Sequence, residues 1–234
     1  MTLEVDKIDC GYGSVRVLKG VTLQVRPGEI HALLGRNGAG KTTTLKAIMG
    51  LVRCDAGSIR IDGEELTRHP PHEIPRFGIA YVPQGRRLFP QMTVEENLRM
   101  GLLAGSGGAQ TQERVLELFP ILRERLSQVA GTMSGGQQQM LAMGRALCLE
   151  PKVLLLDEPC EGLQPSFVDK VLATVAQLRG RGVAVLLVEQ KVDAALQVAD
   201  RVSFLENGML RHEALPAQLV SDPEPLHRYV GVSR

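Results

Sequence analysis

The chain has 234 residues, 44% hydrophobic and 23% charged, with 27 Lys and Arg against 26 Asp and Glu. That length and balance suit one domain with a full core, and the near-neutral charge supplies no field to draw in nucleic acid or anionic lipid. Trp is absent and aromatics are 3% of residues, too few for a base-stacking surface, while no apolar run approaches the roughly 18 residues that span a bilayer.

The N-terminus carries Glu4, Asp6 and Asp9 where a secretion signal would be basic and then apolar. Cys10, Cys54, Cys148 and Cys160 form no C-x-x-C pair and have no His cluster at zinc spacing. They read as buried free thiols of a reducing compartment, so the chain is expected in the cytoplasm.

Apolar runs at Leu3–Ile8 and Val21–Val25 predict the first strands. Between them Tyr12, in Gly11-Tyr12-Gly13, is either an aromatic that stacks on a purine or an exposed turn residue. The run Ile30–Leu34 predicts a buried strand, and Gly35-Arg36-Asn37-Gly38-Ala39-Gly40-Lys41-Thr42 follows it directly. This segment meets every fixed position of G-x-x-x-x-G-K-[ST], between a strand and a helix beginning near Lys41. Its backbone N–H groups wrap phosphates, Lys41 reaches the β- and γ-phosphates, and the Thr42 hydroxyl is placed to ligate Mg²⁺; Thr43 continues the site into the helix. Further strands are predicted at Ser58–Ile61 and Ile79–Val82, the second followed by Gln84, which could sense Mg²⁺ or water.

From Thr93 to Glu150 the pattern is helix after helix. Thr93-Val94-Glu95-Glu96 has capping-box spacing, Gly101–Gly108 reads as a flexible loop with four glycines, and Glu113–Phe119 and Ile121–Leu126 are helical with a break at Pro120. Ser134-Gly135-Gly136-Gln137 opens a helix expected to run to about Glu150 and presents free N–H groups to an anion. The apolar run Val153–Asp157 then ends in an acid, with Glu158 immediately after. Asp157 is placed to hold Mg²⁺ and Glu158 to polarise an attacking water, so the chemistry expected is γ-phosphate hydrolysis. A helix over about Pro165 to Arg179 and strands at Val183–Glu189 and Val202–Glu206 complete an α/β pattern.

Gly35–Thr42, Gln84, Ser134–Gln137, Asp157-Glu158-Pro159 and Gly162-Leu163, in that order and separation, resemble the ATP-binding cassette ATPases over essentially the whole chain. The resemblance implies one α/β P-loop NTPase domain over 1–234. Its RecA-like core, with an antiparallel β edge, would take residues 1–84 and 151–234, and an inserted helical subdomain residues 85–150. It also implies ATP and Mg²⁺ as ligands. Two cassettes, identical or homologous, would pair head to tail, so that the Ser134 helix start binds the γ-phosphate on the other subunit. Transmembrane permeases would complete the machine, fed by an extracytoplasmic solute-binding protein, with the cassette peripheral on the inner membrane face.

Tyr81–Pro90, Thr93–Leu98, Glu161–Leu163, Leu187–Gln190 and Tyr229–Val232 look like the ATPases of branched-chain amino-acid uptake. Those of urea and short-chain amide uptake, in the same branch, are at least as similar at Gly35–Gly38, at Gln84 before Gly85-Arg86, and at Gly162–Ser166. A soluble cassette serving cofactor assembly is the rival class, and it lacks these stretches. The resemblance further places the permease docking groove along Gln84–Asn97, where Phe89 and Met92 either dock or pack in the core. Met133 replaces the usual Leu of the signature, and Cys160 a small polar residue. Gln190 replaces the His that contacts the γ-phosphate: its amide donates a hydrogen bond but cannot become cationic.

Overall fold

The computed structural model describes residues 2–105 and 107–231. A long hairpin, β1 (Leu3–Tyr12) and β2 (Val15–Val25), opens the chain. β3 (Ile30–Leu34), buried at every position, leads through residues 35–40 into α1 (Lys41–Ile48). β4 (Cys54–Ile61) and the short β5 (Glu64–Glu65) complete an antiparallel sheet in the order β2-β1-β4-β5.

β6 (Ile79–Val82) is followed by α2 (Val94–Ala104), α3 (Ala109–Leu118), α4 (Pro120–Arg123) and α5 (Gly135–Leu147). The chain then alternates through β7 (Val153–Asp157), α6 (Pro165–Gly180), β8 (Ala184–Val188), α7 (Val192–Val198) and β9 (Arg201–Glu206). β10 (Met209–Ala214) and the short helices α8 (Pro216–Ser221) and α9 (Glu224–Tyr229) follow.

The second sheet runs β10-β9-β3-β8-β7-β6, parallel except at the β10 edge. β3, β7 and β8 are buried throughout, which is why their sequences are continuous apolar runs. One face packs Leu154, Leu156, Val185 and Leu187 against Leu98, Met140, Met143 and Val175 of the helices. The other packs Leu33, Leu155 and Leu186 against α1 and the antiparallel sheet. Register sets the functional edge: Leu33 and Asp157 both pair with Val188, so β3, β7 and β8 end together. Open parallel sheets bind ligands at such carboxyl ends.

Several expectations are corrected. β1 and β2 run four and six residues beyond the apolar runs that announce them, because backbone pairing carries the hairpin on through exposed and half-buried residues, with Cys10 and Leu18 as isolated buried partners. β10 carries no apolar run, and pairing with β9 alone makes it a strand. The segment Gly101–Gly108 is not all loop. Gly101 lies inside α2 and is buried, since a Cβ there would collide with the Arg145 carbonyl of α5. This glycine lets two helices approach. α3 begins at Ala109, four residues ahead of the Glu113 expected from the sequence. The break expected at Pro120 is present, with Phe119 non-helical between α3 and α4; Pro120 itself opens α4, where its missing N–H costs nothing, and that helix ends at Arg123 rather than Leu126. The signature helix stops at Leu147, short of Glu150. Ser106, within the glycine-rich stretch, and Val232, within the closing stretch, lie outside the described residues. The four cysteines are free thiols, but Cys54 is only half-buried.

Candidate nucleotide site

Gly35 leaves β3 at φ 156° with its α-carbon against the Leu205 carbonyl, a passage no side chain fits. The loop then curls back so that Lys41, at the first position of α1, donates from Nζ to the carbonyls of Gly35 (2.8 Å) and Arg36 (3.1 Å). Burial lowers the pKa of Lys41, and the nearby Glu158 and Asp157 carboxylates oppose that shift. A buried ammonium held over a ring of backbone is suited to polyphosphate.

Across the sheet edge, Thr42 Oγ1 donates to Asp157 Oδ1 (3.0 Å) and the Tyr81 hydroxyl donates to Oδ2 (3.0 Å). Burial raises the pKa of Asp157, and these two hydrogen bonds pull the other way. Tyr81 itself is pushed above the ordinary phenol range by burial and by that carboxylate. Tyr81 escapes a sequence reading because it looks like another strand residue. Its register opposite Leu155, two residues before Asp157, is the signal that places it.

Glu158, 9% exposed, takes a positive φ of 50°, an uncommon backbone state for a residue with a Cβ. Two amides hold its carboxylate: Gln190 Nε2 donates to Oε1 (2.6 Å) and Gln84 Nε2 to Oε2 (3.2 Å). Gln84 also donates to Glu161 (3.0 Å), a contact that sequence reasoning did not anticipate. Behind them the buried Glu189 accepts the Cys160 N–H (2.9 Å), so position 160 faces inward against a carboxylate. Burial raises the pKa of both Cys160 and Glu189.

Asn37, Gly38, Gly40, Lys41, Thr42, Thr43, Gln84, Glu158 and Gln190 line one cavity of about 560 Å³, with Val17 and Glu161. Five expected residues are not in its lining: Gly35 and Asp157, bonded to the lining residues Lys41 and Thr42, and Ala39, Tyr12 and Arg36. Ala39 is buried beneath the loop, Tyr12 is 49% exposed on its hairpin, and Arg36 turns its guanidinium to the Arg228 carbonyl of α9 (3.5 Å). The Ser134–Gln137 helix start is not among the lining residues either. Ser134 accepts the Gln137 N–H (3.4 Å), and the Gln137 side chain accepts the Ser134 N–H (3.0 Å), a reciprocal cap on an exposed helix end.

A phosphate-wrapping loop at the carboxyl edge of a parallel sheet, facing a buried acid and a second carboxylate, defines a P-loop nucleoside-triphosphate hydrolase. Residues 18–161 match the ABC transporter family, and the chain belongs to it as an ATP-binding, ATP-hydrolysing cassette. The chain is 48% identical over 98% of its length to the high-affinity branched-chain amino acid transport ATP-binding protein BraG of Pseudomonas aeruginosa, 99% of which is covered. It is 36% identical over 93% of its length to the probable branched-chain amino acid transport ATP-binding protein LivF of Archaeoglobus fulgidus, covering 94% of that protein. Among solved structures, the ADP conformation of an ATP-binding cassette of an ABC transporter superposes with a TM-score of 0.87 at 27% identity, with 99% of this chain and 100% of that one covered. Cassettes of this family work as dimers with transmembrane subunits in transporters. Among the described residues no helix is long and apolar enough to cross a membrane.

Proposed function

We propose that this cassette energises uptake of branched-chain amino acids through separate permease subunits, from the inner face of the membrane. The observation that carries the solute is the near full-length, 48% identity to BraG. The test is reconstitution with the associated permeases and binding protein. ATP hydrolysis is expected to rise when that binding protein is loaded with leucine, isoleucine or valine. Stimulation by urea or short-chain amides, with none by leucine, would transfer the cassette to the sister uptake system.

Within the site, Gly35–Thr43 wraps the triphosphate of ATP, with Lys41 turning from its own loop carbonyls to the phosphate oxygens. Thr42, Asp157 and Gln84 offer a hydroxyl, a carboxylate and an amide oxygen, the hard donors that Mg²⁺ takes. Mg²⁺ would neutralise charge on the phosphates. Glu158 orients and deprotonates water against the γ-phosphate, and its positive φ keeps the carboxylate over the cavity. Gln84 and Gln190 hold that carboxylate ready. Gln190 adds no positive charge toward the γ-phosphate, so it supports hydrolysis less than His would. Tyr12, on its exposed hairpin, is the residue proposed to stack on the purine.

The Ser134 helix start completes the site of the other subunit, which fits its capped, exposed end and its absence from the lining of this chain's own cavity. Residues 85–150 form the helical arm that carries it, on a core of 1–84 and 151–234. Phe89, 42% exposed, borders an apolar groove of about 290 Å³ with Met100 and Ala104, the surface proposed to receive a permease helix.

A further inference from the structure

Gly85, Arg86 and Arg87 hold three successive positive φ values, 76°, 67° and 47°. Two of the three carry side chains that normally avoid this region, so contacts elsewhere must impose it. Beyond the turn's own backbone bonds, Arg86 N–H to the Pro83 carbonyl and Arg87 N–H to the Gly85 carbonyl, the contacts that hold it are on α5. Arg86 Nη1 donates to Gln138 Oε1 (3.3 Å), and the Gln138 amide is pinned in turn by donating to the Ala130 carbonyl (3.1 Å). The Arg86 guanidinium lies flat over Gly135: a Cβ there would stand 2.9 Å from Nη2 and 3.3 Å from Cζ. Arg145, three turns along α5, donates to the Arg87 carbonyl (2.7 Å). Among the described residues, no carboxylate pairs with Arg86. Just upstream, Gln84 holds Glu158.

We propose that Arg86 is a positioning residue for the hydrolysis completed on the other subunit: it braces the Gly135 end of α5 against the Gln84 loop. This rests on the reading that the Ser134 helix start serves the partner's nucleotide. A path of bonds and contacts then joins the carboxylate of one site to the phosphate donors of the other: Glu158 bonded to Gln84, through the strained turn to Arg86, which bonds Gln138 and packs over Gly135. Gly135 is small to admit the guanidinium as well as a phosphate. Lys cannot replace Arg here, because a compact ammonium lacks the flat face and the fork.

The test uses the pair that the chain forms in its transporter, with hydrolysis confined to one site. With Arg86→Ala and Glu158→Gln on the same chain, turnover comes only from the partner's P-loop, served by the altered helix start. That turnover is expected to fall about tenfold or more relative to Glu158→Gln alone, since small misplacements at a reacting centre are costly. With Arg86→Ala on this chain and the partner's hydrolytic carboxylate disabled instead, turnover comes from this chain's own P-loop and is expected to stay within about twofold. Gln138→Ala should reproduce the asymmetry more weakly, and Arg86→Lys should fail to restore it. Unchanged ATP affinity of the Arg86→Ala chain shows that the fold is intact. Equal losses in both arrangements, a loss only in the second, or no loss in either overturns the proposal. Ser134→Arg in the first arrangement is the control for the underlying reading: if it leaves turnover intact, the trans contact itself is wrong, independently of Arg86.

Discussion

The two phosphate-facing regions of this chain are built to opposite designs. At the cradle, residues from β3, α1, β6, β7 and the turn after β8 converge, and the polar groups satisfy one another: Lys41 on loop carbonyls, Thr42 and Tyr81 on Asp157, and two amides on Glu158. The signature start has one capping residue, one reciprocal glutamine and a lone guanidinium above Gly135. A cradle that closes on itself can hold nucleotide as a single chain. An exposed helix start with unspent donors has nothing to act on until another molecule arrives.

The sharpest challenge to this contrast is at Glu158. Glu158→Gln should lower single-turnover hydrolysis roughly 10²- to 10⁴-fold while ATP affinity is retained; a comparable loss of ATP affinity would make Glu158 part of the cradle's binding surface. Ser134→Arg probes the other region. It should cut hydrolysis by the assembled pair on the order of 100-fold yet leave ATP binding to the separate chain untouched, read by calorimetry on both. A fall in single-chain affinity would mean that α5 serves its own cradle.

Gln190→His sharpens the cradle side. A cationic donor strengthens the phosphate contact, so single-turnover hydrolysis should rise up to about tenfold, and equal rates would remove the position from the chemistry. Tyr81→Phe removes one of the two hydrogen bonds on Asp157 and should lower unfolding stability by about 1–2 kcal/mol, measured in urea. Asp157 gives the smallest effect on stability and one of opposite sign. Its folded pKa is raised by burial, so the native state holds the proton more tightly than the unfolded state does. Stability is therefore lost as pH rises from the ordinary carboxylate value through the raised one. At neutral pH Asp157→Asn should raise the Tm of the nucleotide-free chain while abolishing hydrolysis. A lower Tm would show that the hydrogen bonds outweigh the desolvation of this carboxylate.

Much of this molecule could be read in one dimension because its chemistry is local. A strand, a glycine-rich turn and a lysine at a helix start lie within thirteen residues, Ile30 to Thr42, and each imposes its geometry on the next. The buried strands β7 and β8 announce themselves by apolar runs, and α2 by its capping box. Elements without such a local cause were not visible: β10 exists through its pairing, and Gly101 belongs to a helix because α5 lies against it.

The sequence by itself therefore determined the family, the nucleotide loop, the two acids and the helix start at Ser134, since covalent spacing carries each of them. Tertiary structure alone decided that Tyr81 holds Asp157, that Gln84 and Gln190 clasp one carboxylate, and that Arg86 lies over Gly135. Those contacts join residues 32 to 76 positions apart, or 49 in the case of Arg86 and Gly135. Such distances are bridged by strand register and helix packing, which no stretch of sequence encodes by itself.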